Sequence, residues 1–138
     1  MCSRHETMVR MPEQHRWDEI VDEEGLRMHV MVEPVSDYAA RVCECMWMVE
    51  SFDFDDVIEL ASAEDGQAFR FVRVIEQSPL VRTSAVLSEG AAASGELDAL
   101  LGDVVEAGGY WERAFGGGLF VAVPPDSDLN VMERLDSL

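Results

Sequence analysis

The densest group of side chains able to do chemistry is acidic: Asp53, Asp55, Asp56 and Glu59 fall within one short stretch. Carboxylates spaced this way on a turn supply the oxygen ligands that Ca²⁺ or Mg²⁺ takes. They are also what a tight turn uses to hydrogen-bond its own backbone. The spacing of a calcium-binding helix-loop-helix is absent. Cys43 and Cys45 would put two sulfurs on one face of a strand, but zinc needs three or four ligands. Cys2, His5, His15 and His29 offer no paired spacing to complete the set, so no metal or other cofactor is assigned. Nucleophilic catalysis requires a His or Lys near a Ser or Cys. The chain has no Lys, and its three His lie at or before residue 29. Gly116-Gly117-Gly118 precedes a strand pattern and not a helix, so it does not make a phosphate cradle. No catalytic residue is assigned, and the reading leans away from an enzyme.

Charge constrains more than any motif. Asp and Glu number 28 against 10 basic residues, all of them Arg, for a formal net charge of −18 over 138 residues. The excess is spread along the chain: −6 over residues 1–50, −7 over 51–100 and −5 over 101–138. A field of that sign repels nucleic-acid phosphates and anionic membranes and favours cationic partners or plain solubility. Direct nucleic-acid binding is poorly supported, since no extended basic and aromatic surface stands out from the acidic background. Trp47 and Trp111 are therefore expected as core or interface anchors. With 48% hydrophobic residues the chain can fill a core, so it is globular and not a disordered acidic tail. No apolar run reaches membrane-spanning length and no secretory signal is visible, so a cytoplasmic protein is expected. Three cysteines, an odd number, point to reduced thiols. The missing Lys, the single Asn and the three Ile suit a high-GC bacterial or phage genome, or a salt-adapted host.

Periodicity predicts the elements that position these groups. Residues 1–14 read as a loose leader, and residues 15–79 as a mainly β half. His15 to Glu24 reads as a short helix or an irregular approach. Leu26 to Val32 alternates as a strand that Glu33-Pro34 ends. Tyr38 to Val49, apolar on both faces, reads as a central strand. A hairpin over residues 57–76 turns at Glu64-Asp65-Gly66, with Phe69, Phe71 and Arg73 on one face of its second strand. Residues 80–138 read as β-α-β-β-α. The strand runs from Val81 to Leu87 and the helix from Ser94 to Ala107, with a stripe of Leu97, Leu100, Leu101, Val104 and Val105. A hairpin joins Trp111–Phe115 to Leu119–Val123. A last helix is capped by Asp126, Ser127 or Asp128 and carries Val131, Leu135 and Leu138 on one face. The expected class is α+β: a small antiparallel sheet or partial barrel packed with a ferredoxin-like β-α-β-β-α layer that lacks its last strand.

Residues from about 38 to 138 carry a resemblance. It rests on Phe54-Asp55-Asp56-Val57-Ile58, on Phe69 through Ser78, on Arg82, and on Gly118-Leu119-Phe120-Val121-Ala122-Val123-Pro124. In order and spacing these are similar to the bacterial domain-of-unknown-function family 4265. Pro79-Leu80 stands where that family has Gly-His, and Val49-Glu50-Ser51-Phe52 replaces its Asn-x-Pro-Phe stretch. The resemblance implies a fold and a bacterial origin, and no activity.

The function expected from these residues is non-enzymatic recognition of a basic protein, as by an immunity protein or a phage inhibitor that mimics DNA charge. Asp53, Asp55, Asp56 and Glu59 are the expected contacts. The alternative is a small enzyme or ligand-binding domain with a pocket between the two halves. Eight Met and three Trp leave room for an apolar assembly patch, so a homo-oligomer is a further reading.

Overall fold

In a computed structural model, residues 15–47, 49–63, 66 and 68–138 are described. The expected leader, residues 1–14, and the turn residues Glu64 and Asp65 lie outside them. The chain divides into two compact units, one ending at Ser78 and the other spanning Pro79–Leu138.

The first unit is a closed barrel of β1 (Arg16–Val21), β2 (Arg27–Ser36), β3 (Ala39–Val42), β4 (Val57–Ser62) and β5 (Phe69–Glu76), each beside the next. Successive strands run antiparallel. An odd number of up-and-down strands brings the last back parallel to the first, and β5 meets β1 through Ile20↔Phe69 and Val21↔Arg70. Alternate side chains turn inward. Ile20, Val30, Val32, Ala40, Val42, Ile58, Leu60 and Phe71 fill the interior together with Met46 and Phe52.

Three expectations are corrected here. Residues 16–21 form a strand and not a helix; the acidic stretch after them is the turn into β2. Asp22 Oδ1 accepts the Glu24 and Leu26 N–H groups, and Gly25 has φ +86°. Pro34 does not end β2. The strand runs on to Ser36 because a bulge between Pro34 and Ser36 absorbs the missing donor. The strand expected over residues 38–49 is only Ala39–Val42. Beyond it Cys43, Cys45 and Met46 are buried in irregular chain, so a run that is apolar on both sides is burial without strand geometry.

The hairpin over residues 57–76 forms, but the facing in β5 shifts. Leu60 opposes Phe71, Glu59 opposes Arg73, Ile58 opposes Val74 and Val57 opposes Glu76. Val72 and Ile75 are thus extra residues on β5 and point outward, and Val74, not Arg73, packs on the core. Arg73 Nε instead donates to Glu59 Oε1 at 3.0 Å on the outer face.

The second unit contains β6 (Val81–Val86), α1 (Glu89–Ala92), α2 (Gly95–Glu106), β7 (Tyr110–Ala114), β8 (Gly118–Val123) and α3 (Val131–Asp136). Its antiparallel sheet has the order β6-β8-β7. Ser94 caps α2 as expected, its Oγ accepting the Glu96 N–H at 3.0 Å. Leu97, Leu100, Leu101 and Val104 pack against Leu119, Val121 and Val123 of β8 and Val131 of α3. The short α1 was not expected. The cap of α3 is Asn130, whose Oδ1 accepts the Glu133 N–H, whereas Ser127 Oγ accepts the Leu129 N–H one turn earlier. Both units together make an α+β chain, and no described helix is long and apolar enough to cross a membrane.

Two glycines of the second unit separate close packing from conformational preference. A Cβ on Gly109 would stand 2.5 Å from the Ala122 carbonyl oxygen and 2.9 Å from that of Val104. Gly102, exposed within α2, has nothing within 4 Å of that position. Gly109→Ala is expected to destabilise the chain by about 1–3 kcal/mol. Gly102→Ala is expected to stabilise it by up to about 1 kcal/mol. Urea denaturation of both variants checks the pair.

Candidate functional site

The expected contact residues sit between β3 and β4, and the structure turns three of them inward. Asp53 Oδ1 accepts the Met46 N–H at 2.9 Å and the Phe54 N–H at 2.7 Å. Asp55 and Asp56 are each 3% exposed. Asp55 adopts φ +71°, in the left-handed region. Its Oδ1 lies 3.4 Å from Arg41 Nη1, and its Oδ2 accepts the Ser78 hydroxyl at 2.9 Å. Asp56 accepts the Ser78 N–H at 2.8 Å and the Asp53 N–H at 2.9 Å, one on each oxygen. Each oxygen of Asp55 and Asp56 thus has an internal partner, and both side chains are buried, which directs these two carboxylates to the loop's own backbone and neighbours. Glu59, on β4, faces outward and is paired with Arg73.

Six of the described arginines are similarly committed. Arg16 pairs with Asp18, Arg27 with Glu19, Arg41 with Asp55, Arg73 with Glu59 and Arg134 with Asp103. Arg113 donates to the Ala92 carbonyl. Carboxylates outnumber cations among the charged side chains that face water. In the second unit Glu89, Glu96, Asp98, Glu106, Asp126 and Asp128 are all exposed. Helix α2 places Glu96 and Asp98 in its first turn, where the helix dipole favours acid, and has no basic residue in its last turn. Glu106 there stands against the dipole. Sequence reasoning chose the loop because its acids are dense. The signal it passed over is acid at the polar positions of α2, opposite the Leu and Val stripe.

A cleft of about 340 Å³ in the second unit runs along Val81 and Thr83 of β6 and the segment from Val123 to Met132. Its polar lining includes Thr83, Ser127, Asp128 and Asn130. Cys43 is disulfide-bonded to a partner outside the described residues, which corrects the expectation of reduced thiols; Cys45 is a buried free thiol. His29 is exposed on β2 opposite Glu19. Trp111 packs against the core of the second unit.

No family model matches the chain, and no curated protein matches it. A solved structure of a hypothetical protein from Neisseria gonorrhoeae is similar in fold, with a TM-score of 0.59 at 14% identity. The match covers 86% of this chain and 83% of that one. At that identity the likeness extends to the fold alone.

If the buried carboxylates are structural, removing one acceptor must cost stability. Asp56→Asn sets an amide NH₂ against one of two N–H donors. The loss expected is about 1–3 kcal/mol, read by urea denaturation. Glu59→Gln, on the outer face, is expected to change stability by no more than about 1 kcal/mol.

Proposed function

We propose that the chain is a non-enzymatic binding protein that recognises a basic protein partner through its exposed carboxylates, in the manner of an immunity protein or a DNA-charge mimic. The observation that carries this reading is the division of charge. Five of the described arginines are drawn into pairs with carboxylates of their own unit, and many of the acids left over face solvent. Charge arranged so steers association with a cationic surface and raises its rate at low salt. The loop of Asp53, Asp55 and Asp56 is spent internally, so the contacts move to the outward side of α2: Glu96, Asp98 and Glu106. In the same reading the second unit is ferredoxin-like without its last strand. The order β6-β8-β7, with α2 and α3 against one face of β8, supports this, and the likeness to family 4265 belongs to the same proposal.

Capture from the native host at low and high salt tests the function. A basic protein is expected at low salt and is lost as salt rises. Capture of no basic protein at either salt overturns the reading. Neutralising Glu96, Asp98 and Glu106 together to Gln, Asn and Gln is expected to weaken capture and flatten its salt dependence. Glu106→Lys separates recognition from folding. It is expected to weaken capture while raising stability by about 0.3–1 kcal/mol, because a cation suits a helix C-terminus.

A further inference from the structure

We propose that His15, Glu33 and Cys43 form a redox-gated site for a divalent transition metal of the zinc class. The barrel brings together three residues that are far apart in sequence. His15 immediately precedes β1, where the Arg16↔Val32 register continues toward Glu33 of β2. Cys43 immediately follows β3, its N–H bonded to the Met31 carbonyl of β2. The three ligand atoms lie within 4.8 Å of one another. His15 Nε2 is 3.5 Å from Glu33 Oε2 and 3.7 Å from Cys43 Sγ.

Those separations decide the chemistry. An ordinary N–H···O hydrogen bond spans about 2.7–3.2 Å, so the carboxylate contact is too long to be a good one. Bond lengths of about 2.0–2.1 Å to nitrogen, 2.0–2.2 Å to oxygen and 2.3 Å to sulfur place tetrahedral ligands roughly 3.4 Å apart for N and O and 3.6 Å apart for N and S. The His15–Glu33 and His15–Cys43 spacings match these values, with Cys43 still in its disulfide. The His15 side chain is 1% exposed, and its Nδ1 has no hydrogen-bond partner among the described residues. A buried imidazole without a hydrogen bond of ordinary length on either nitrogen is costly unless something else binds it. Mixed nitrogen, sulfur and oxygen donors select Zn²⁺ or Co²⁺ over Ca²⁺ and Mg²⁺. Three protein ligands leave the fourth position to water.

The gate is the sulfur itself. The thiolate is the metal ligand, and Cys43 is disulfide-bonded. A dithiol reductant passes two electrons to the S–S bond, becomes a disulfide, and releases Cys43 and its partner as thiols. Metal binding then forms the M–S bond and sends the Cys43 proton to solvent. Disulfide and metal are alternative states of one sulfur.

The test uses the full chain, oxidised or reduced with dithiothreitol and desalted without oxygen, then titrated with Co²⁺ and back-titrated with Zn²⁺. The reduced chain is expected to take up one equivalent of Co²⁺, with the thiolate-to-cobalt ultraviolet band and intense visible bands of four-coordination, and to lose both to Zn²⁺. The oxidised chain is expected to show neither. Cys43→Ser should abolish the ultraviolet band. Glu33→Gln, at a half-exposed position that leaves folding intact, should weaken affinity by at least the roughly tenfold that even an outer-shell partner costs. Reduced wild-type protein without a thiolate band overturns the proposal. So does a pale six-coordinate spectrum of equal strength in both redox states, which is Co²⁺ on surface carboxylates.

Discussion

Asp56 holds the first unit together at its least regular point. Its two oxygens accept N–H groups from Asp53 and from Ser78, residues on either side of the β4–β5 hairpin. The loop entering β4 and the chain leaving β5 are thereby fixed to one carboxylate. Asp55 reinforces the junction through the Ser78 hydroxyl and Arg41. Buried charge is tolerated only where hydrogen bonds replace hydration, and here donors aim at each carboxylate. The loop in turn lets Phe52 and Phe54 bury without a strand to carry them. A chain this acidic therefore uses its carboxylates in two ways, as anchors for backbone donors inside and as uncompensated charge outside.

How much of this was legible in the sequence follows from what periodicity can encode. Helix α2, its Ser94 cap, the β7–β8 hairpin and the β4–β5 hairpin were readable, because each is a local pattern with a local terminator. Facing in β5 was not, since the bulges at Val72 and Ile75 arise from pairing with β4 and leave no mark in alternation. Residues 43–49 misled for a related reason: a run that is apolar on both sides reports burial, and an irregular loop filling a barrel buries both sides as a central strand does. Pro34 misled because a bulge removes the penalty that usually ends a strand.

Function was less legible than fold, and for a physical reason. Density along the chain picked out Asp53, Asp55 and Asp56, yet density is also what a tightly hydrogen-bonded turn requires. Only burial separates the two. The grouping of His15, Glu33 and Cys43 depends on barrel register across residues far apart in sequence, so no spacing rule could reveal it. The Neisseria gonorrhoeae structure shares the architecture and leaves the chemistry of the residues to this chain alone.

Among the described residues the barrel closes through two residue pairs between β1 and β5, reinforced by the Arg16 guanidinium 5.9 Å from the centre of the Phe69 ring. A seam so short is where transient opening begins, since fewer ladder bonds must break there than between any antiparallel neighbours. Amide exchange in β1 should therefore outpace that in β4.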